Sequence, residues 1–133
     1  MKVLLDTNIC IYLIKRRPQE VRERFERYAV GEIGLSSITV SELQYGVEKS
    51  RRVDQNRAAL MQFLLPLVIA DFDYEAAVVY GRVRAELERL GTPMGPLDTL
   101  IAAHALSLDV TLVTNNEREF SRVSDLRVEN WVS

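Results

Sequence analysis

Val3-Leu4-Leu5-Asp6-Thr7-Asn8 is the stretch whose reading decides the fold. Lys2 to Leu5 is a short apolar run of the kind that forms a buried strand, and it stops at an acid followed by residues that suit turns and helix starts. The same handover recurs downstream. Ile33 to Ser36, Leu67 to Ala70 and Val110 to Val113 read as further strands, and Leu126 to Glu129 as a fifth before Trp131. Between them the periodicity predicts helices. These are the apolar Ile9–Ile14, a segment after Pro18 with Val21, Phe25 and Tyr28 on one face and Gly31 ending it, and Thr39–Lys49 with Val40, Leu43 and Val47 aligned. Three more follow: 54–64, then 74–90 with Ala77, Val78, Gly81, Val83 and Leu87 for packing and Gly91 closing it, then one from Leu97 or Asp98 with Leu97, Ile101, Ala105 and Leu108 inward. Strands alternating with helices predict an α/β fold, a three-layer α/β/α domain with a four- or five-stranded parallel sheet.

Length and composition agree. A chain of 133 residues, 47% hydrophobic and 27% charged, is the size of one domain, expected to span 1–133. No repeat or low-complexity block signals a linker. The single Cys10 lies in an apolar run, which excludes a disulfide framework and points to a reducing compartment. Asp6 comes too early for a secretory leader, and no apolar run approaches the ~20 residues that cross a bilayer. The expected location is cytoplasmic.

Four carboxylates, Asp6, Glu42, Asp98 and Glu119, stand where a strand passes to a helix or near a helix start, positions that converge along one edge of a parallel sheet. Acids brought together repel unless a cation neutralises them, and oxygen-only clusters suit Mg²⁺ or Mn²⁺. Each has a structural alternative. Asp6 could cap the first helix, but Thr7 or Asn8 could do so instead and free it. Glu42 completes a capping box with Thr39, and on local pattern alone that role wins. Asp98 could cap the helix it opens while staying ionised for a metal. At the last strand Asn116 and Glu119 both offer oxygens, and neither is decisive alone. Thr7 and Thr114 end the first and fourth strands, where their hydroxyls could hold a carboxylate or bond to backbone.

The net charge of -2 gives no general attraction to nucleic acid. Basic clusters lie outside the acid set, at Lys15-Arg16-Arg17, at Arg22, Arg24 and Arg27, at Lys49, Arg51 and Arg52, and at Arg82, Arg84 and Arg89. An acidic site with basic flanks suits a phosphodiester. For any one Arg, a solvated helix face is favoured, since Glu20, Glu23 and Glu26 interleave with the first clusters. The only histidine, His104, falls about 600° round the helix from Asp98 and ~9 Å along it, so it is assigned to packing. One His and one Cys support neither a zinc site nor a Cys-His pair.

The ordered motifs Leu4-Leu5-Asp6-Thr7-Asn8, Ser41-Glu42-Leu43 with Tyr45-Gly46, Gly95-Pro96-Leu97-Asp98, Leu112-Val113-Thr114-Asn115-Asn116 and Glu119-Phe120 resemble the PIN-domain ribonucleases, and within them the VapC toxins of type II toxin-antitoxin systems. The resemblance implies an endoribonuclease dependent on Mg²⁺ or Mn²⁺. Asp6, Glu42 and Asp98 match the family acids. Many members carry Asp where this chain has Asn116, whereas a subgroup ending Thr-Asn-Asn-x-x-Glu-Phe uses the Glu, which ranks Glu119 above Asn116. That subgroup is the enterobacterial type, which implies tRNA as substrate, the initiator tRNA cut in its anticodon region, with 5′-phosphate and 3′-hydroxyl ends. It further implies inhibition of translation, a homodimer, a VapB-like antitoxin that neutralises the toxin, and operator DNA reached only through the antitoxin. The Ile9–Ile14 helix and the face of Val21, Phe25 and Tyr28 are candidate docking surfaces.

Rival classes fit less well. An aspartyl-nucleophile phosphohydrolase wants a second acid two residues after the first, where this chain has Asn8. A receiver-like module phosphorylated at Asp71 or Asp73 wants an acid pair after strand one and a Lys after the last strand. A catalytically weak PIN-like binding module, acting through an antitoxin and operator DNA, is the remaining alternative; metal-dependent cutting separates it from the lead reading.

Overall fold

The computed structural model describes residues 1–132. Five parallel strands, β1 (Val3–Leu5), β2 (Ile33–Ser36), β3 (Val68–Ala70), β4 (Thr111–Val113) and β5 (Val128–Glu129), form one sheet in the order β3-β2-β1-β4-β5. The expected α/β class and parallel sheet are therefore observed, with five strands. β1 is central and wholly buried, which is why its side chains are apolar without alternation. From β1 the chain winds outward through β2 and β3, then returns to the other side of β1 as β4 and β5. The winding thus reverses between β1 and β4, and in open parallel sheets the crevice beyond the strand ends at such a reversal is where ligands bind.

Successive residues of β1 point to opposite faces, so Leu5 packs with Ile9, Leu13, Val21, Leu43 and Leu60, while Leu4 packs with Val83, Ile101, Ala105, Leu112 and Phe120. The first group comes from β1 and helices α1 (Thr7–Ile14), α2 (Gln19–Glu26), α3 (Ser37–Glu48) and α4 (Val53–Leu64). The second comes from α5 (Tyr74–Arg89), α6 (Pro96–Leu108), β4 and the short α7 (Glu117–Phe120). Ala102, Ala103 and Ala105 are fully buried, small side chains that let α6 lie close to its neighbours. Among the described residues no helix is long and apolar enough to cross a membrane.

Several local expectations are corrected. α3 starts at Ser37, because Ser36 caps it by accepting the Ile38 N–H at 3.0 Å. Thr39 is then inside the helix and buried, so the Thr39–Glu42 capping box does not form and Glu42 is released for other work. On α5 the inward stripe is Ala76, Val83 and Leu87, whereas Ala77, Val78 and Gly81 face outward. Leu97 is also exposed, and β3 is an edge strand with Val68 and Ile69 open to solvent because only β2 borders it. Tyr28 lies beyond the end of α2 but stacks on Trp131 with ring centroids 5.6 Å apart.

Candidate active site

The site is built where the sheet reverses. Asp6 leaves β1 in an extended conformation and is 5% exposed. Its Oδ1 accepts the Ile9 N–H at 3.2 Å, and its Oδ2 accepts the Thr114 hydroxyl at 2.5 Å. Asp6 is thus itself the cap of α1, which corrects the expectation that Thr7 or Asn8 would cap in its place. Capping uses one oxygen and Thr114 braces the other. Burial pushes the carboxyl above its ordinary range, partly offset by the bonds from Thr114, Ile9 and Asn8, and the charge of Glu42 adds to the rise.

Thr7 donates its hydroxyl to Glu42 Oε1 at 2.8 Å and so ties the start of α1 to α3. Thr114 and Thr7 are therefore both carboxylate holders, one for each of the first two acids. Thr114 Oγ1 also accepts the Asn116 N–H at 3.0 Å, shaping the loop after β4.

Asp98 sits in the first turn of α6, but the cap position is Gly95, with Pro96 at the first helical residue. Asp98 is therefore not the capping residue, another correction, and Thr99 donates its hydroxyl to the Gly95 carbonyl at 2.8 Å. Burial, then a hydrogen bond with Glu119, then the charges of Glu119, Asp6 and Glu42 lift the Asp98 carboxyl to about 7. The named charges acting on it are all acids. Asp98 thus feels the other three carboxylates named from sequence, and Asp6 feels Glu42, from four separate elements. Asn116 does not join as a peer: its Nδ2 donates to Glu119 Oε2 at 2.9 Å and orients that side chain.

The donor set is hard oxygen with surplus negative charge, which fits a divalent cation of the Mg²⁺ or Mn²⁺ type. Among the described residues no three acidic, His or Cys side chains close up as a finished metal cage. Asp98 and Glu119 approach through a shared hydrogen bond.

His104 is fully buried, as expected for packing, but it also does more. Its Nδ1 lies 2.7 Å from Ser36 Oγ and its ring meets Phe72 edge-on at 5.3 Å, so it joins α6 to the start of α3. Sequence reading also missed Tyr12, whose hydroxyl accepts from Asn115 Nδ2 at 2.9 Å and links α1 to the β4 loop. Its place in an apolar run concealed a polar role.

An apolar groove of about 310 Å³ runs beside Glu42, lined by Thr7, Ile11, Ile14, Gly46 and Leu60 among others. Of the Ile9–Ile14 run only Ile11 and Ile14 supply it, since Ile9, Cys10 and Leu13 are core. The Val21, Phe25 and Tyr28 face is core as well, with Val21 fully buried and Phe25 stacked on Phe63, so it is not a free docking surface. Arg24 bonds Glu129 on β5, an acid distant in sequence.

Residues 3–126 match the family model described as the PIN domain. The chain is 48% identical over 131 residues to the "tRNA(fMet)-specific endonuclease VapC" of Shigella flexneri, covering 98% of each. It is 50% identical over 132 residues to "Ribonuclease VapC2" of Haemophilus influenzae, covering 99% of each. Its fold is similar to the DNA-bound VapBC structure from Salmonella typhimurium, with a TM-score of 0.93, 46% identity and 98% of each chain covered.

Proposed function

The chain belongs to the PIN-domain family, and on that premise we propose that it is a metal-dependent endoribonuclease toxin of the VapC kind that cuts tRNA. The observation that carries the reading is the convergence of Asp6, Glu42, Asp98 and Glu119 from four elements on the crevice where the sheet reverses. Close similarity over nearly the full length to a tRNA(fMet)-specific endonuclease supports the initiator tRNA as substrate, and hence inhibition of translation in the cytoplasm.

Asp6, Glu42, Asp98 and Glu119 are the residues that would hold Mg²⁺ or Mn²⁺. When bound, such an ion supplies Lewis acidity and charge neutralisation at the scissile phosphodiester. The chain's own part is orientation. Thr114 and the Ile9 N–H fix both oxygens of Asp6, Thr7 fixes Glu42, and Asn116 fixes Glu119, so the carboxylates meet the substrate already aimed. No protein nucleophile is required, because water attacks in line.

A VapB-like antitoxin is the partner supported by the VapBC relatives, with DNA contacted through it, and the groove beside Glu42 is the surface on this chain that suits it. Self-association as a homodimer completes the reading.

The test is cleavage of a total tRNA pool by purified protein with Mg²⁺, Mn²⁺ or EDTA, alongside Asp6→Ala and Asp98→Asn. A discrete fragment that needs metal and disappears in both variants supports the reading. Cutting undiminished in the variants, or in EDTA, overturns it.

A further inference from the structure

Tyr45 is 65% exposed, and Lys49 holds its ammonium 5.0 Å from the ring centroid. Both are on α3, the helix that carries Glu42. At about 100° per residue, Gly46 and Val47 turn to one side of Glu42, toward the apolar groove they line, while Tyr45 turns about 60° to the other. Ile38, on the same side as Tyr45, packs against Leu4, Ile101 and their neighbours, so that side looks toward the layer of α6 and Asp98.

Glu42 is therefore flanked by two different surfaces. One is the apolar groove; the other is an open aromatic ring with a cation over one of its faces. The acids themselves repel a phosphodiester, so an RNA strand needs holding elsewhere. A ring with one free face and an adjacent ammonium offers what a single nucleotide requires: a base-stacking platform and a charge for its phosphate.

We infer that Tyr45 and Lys49 form a nucleotide-binding subsite beside the catalytic acids, in which Tyr45 stacks a base of single-stranded substrate RNA and Lys49 contacts the neighbouring phosphate. The inference rests on the ribonuclease reading above. Tyr45 and Lys49 act in binding and take no part in bond cleavage.

The experiment measures kcat and KM on a synthetic initiator-tRNA anticodon stem-loop with Mg²⁺, at several salt concentrations, for wild type, Tyr45→Ala, Tyr45→Phe, Tyr45→Trp and Lys49→Ala, with light scattering of each. Expected for Tyr45→Ala is a KM about 5- to 100-fold higher at little-changed kcat, with Phe and Trp close to wild type. Lys49→Ala should lower the slope of log KM against log salt by about 0.7, the value for one phosphate contact on a single strand. Equal KM in wild type and Tyr45→Ala overturns the subsite while leaving the nuclease intact. A KM change accompanied by loss of the oligomer assigns Tyr45 to self-association and also overturns it. Wild-type protein that cuts the stem-loop no faster with Mg²⁺ than in EDTA overturns the ribonuclease reading itself.

Discussion

Thr114 donates its hydroxyl to Asp6 Oδ2 at 2.5 Å across the point where the sheet reverses, joining residues 108 apart in sequence. The bond follows from register: Leu5 pairs with Val113, so the next residue on each strand emerges at the same edge. It also opposes the rise that burial imposes on the Asp6 carboxyl. Thr114→Val should leave the fold intact but lower cleavage about 10- to 100-fold at limiting Mg²⁺, the usual cost of removing a ligand's hydrogen-bond partner. Thr114→Ser should keep most activity. Rates measured across a Mg²⁺ titration check this, and a Val variant indistinguishable from wild type would contradict it.

Asp98 binds its proton more tightly folded than unfolded, with a carboxyl lifted to about 7 from 3.8. The folded state then holds more protons through that interval, so stability in EDTA falls as pH rises from about 4 to about 7 and the full penalty persists above it. Asp98→Asn removes the penalty. At pH 8 in EDTA the variant should melt about 1–4 °C above wild type while being inactive with metal. Thermal melts at pH 5 and pH 8 decide; a variant less stable than wild type at pH 8 would refute the electrostatic account.

Glu119 and Asn116 are separable by substitution. Asn116 reaches Glu119 and orients it, while Glu119 is the group bonded to Asp98. Glu119→Gln should reduce metal-dependent cleavage about 100-fold or more, and Asn116→Ala by about 10-fold. The reverse ranking would move the fourth position to Asn116.

His104 is held neutral by burial, which keeps its pKa below the ordinary 6.5 against the opposing pull of Asp73 and of the Asp71 backbone and charge. Its contribution to stability is therefore complete above pH 6.5 and is lost as pH falls through the depressed folded value. His104→Ala should cost about 2–4 kcal/mol at pH 7.5, from the cavity and from Ser36 losing its partner. Urea unfolding at pH 7.5 and 5.5 should show the gap between wild type and variant narrowing in acid. A gap that widens would mean the imidazole is charged in the fold.

Much of this architecture was legible because single features dictated it. The unbroken apolar β1 demanded a central parallel strand, and Asp6 fell just after it while Asp98 and Glu119 fell in the first turn of a helix; Glu42, expected near a helix start, lies inside α3 instead. What escaped were choices between equivalent local solutions. Thr39 and Ser36 are both fair caps, and the end of β2 at Ser36 settled the matter. Asp6 looked free because Thr7 and Asn8 could cap, yet a carboxylate with two oxygens can cap and serve the site together. The bonds of Tyr12 to Asn115 and of His104 to Ser36 span distances that no local pattern encodes. Which face of α5 turned inward depended on α6, its neighbour in the fold, and hydrophobic spacing alone could not distinguish Ala76 from Ala77.

Because β1 lies between β2 and β4, the chain's opening residues wait for a strand made much later. A polypeptide still emerging from the ribosome, before Thr111, holds Asp6, Glu42 and Asp98 but lacks both the hydroxyl of Thr114 and the carboxylate of Glu119. The order of synthesis thus leaves the four carboxylates to meet only when the last stretch has threaded into the sheet.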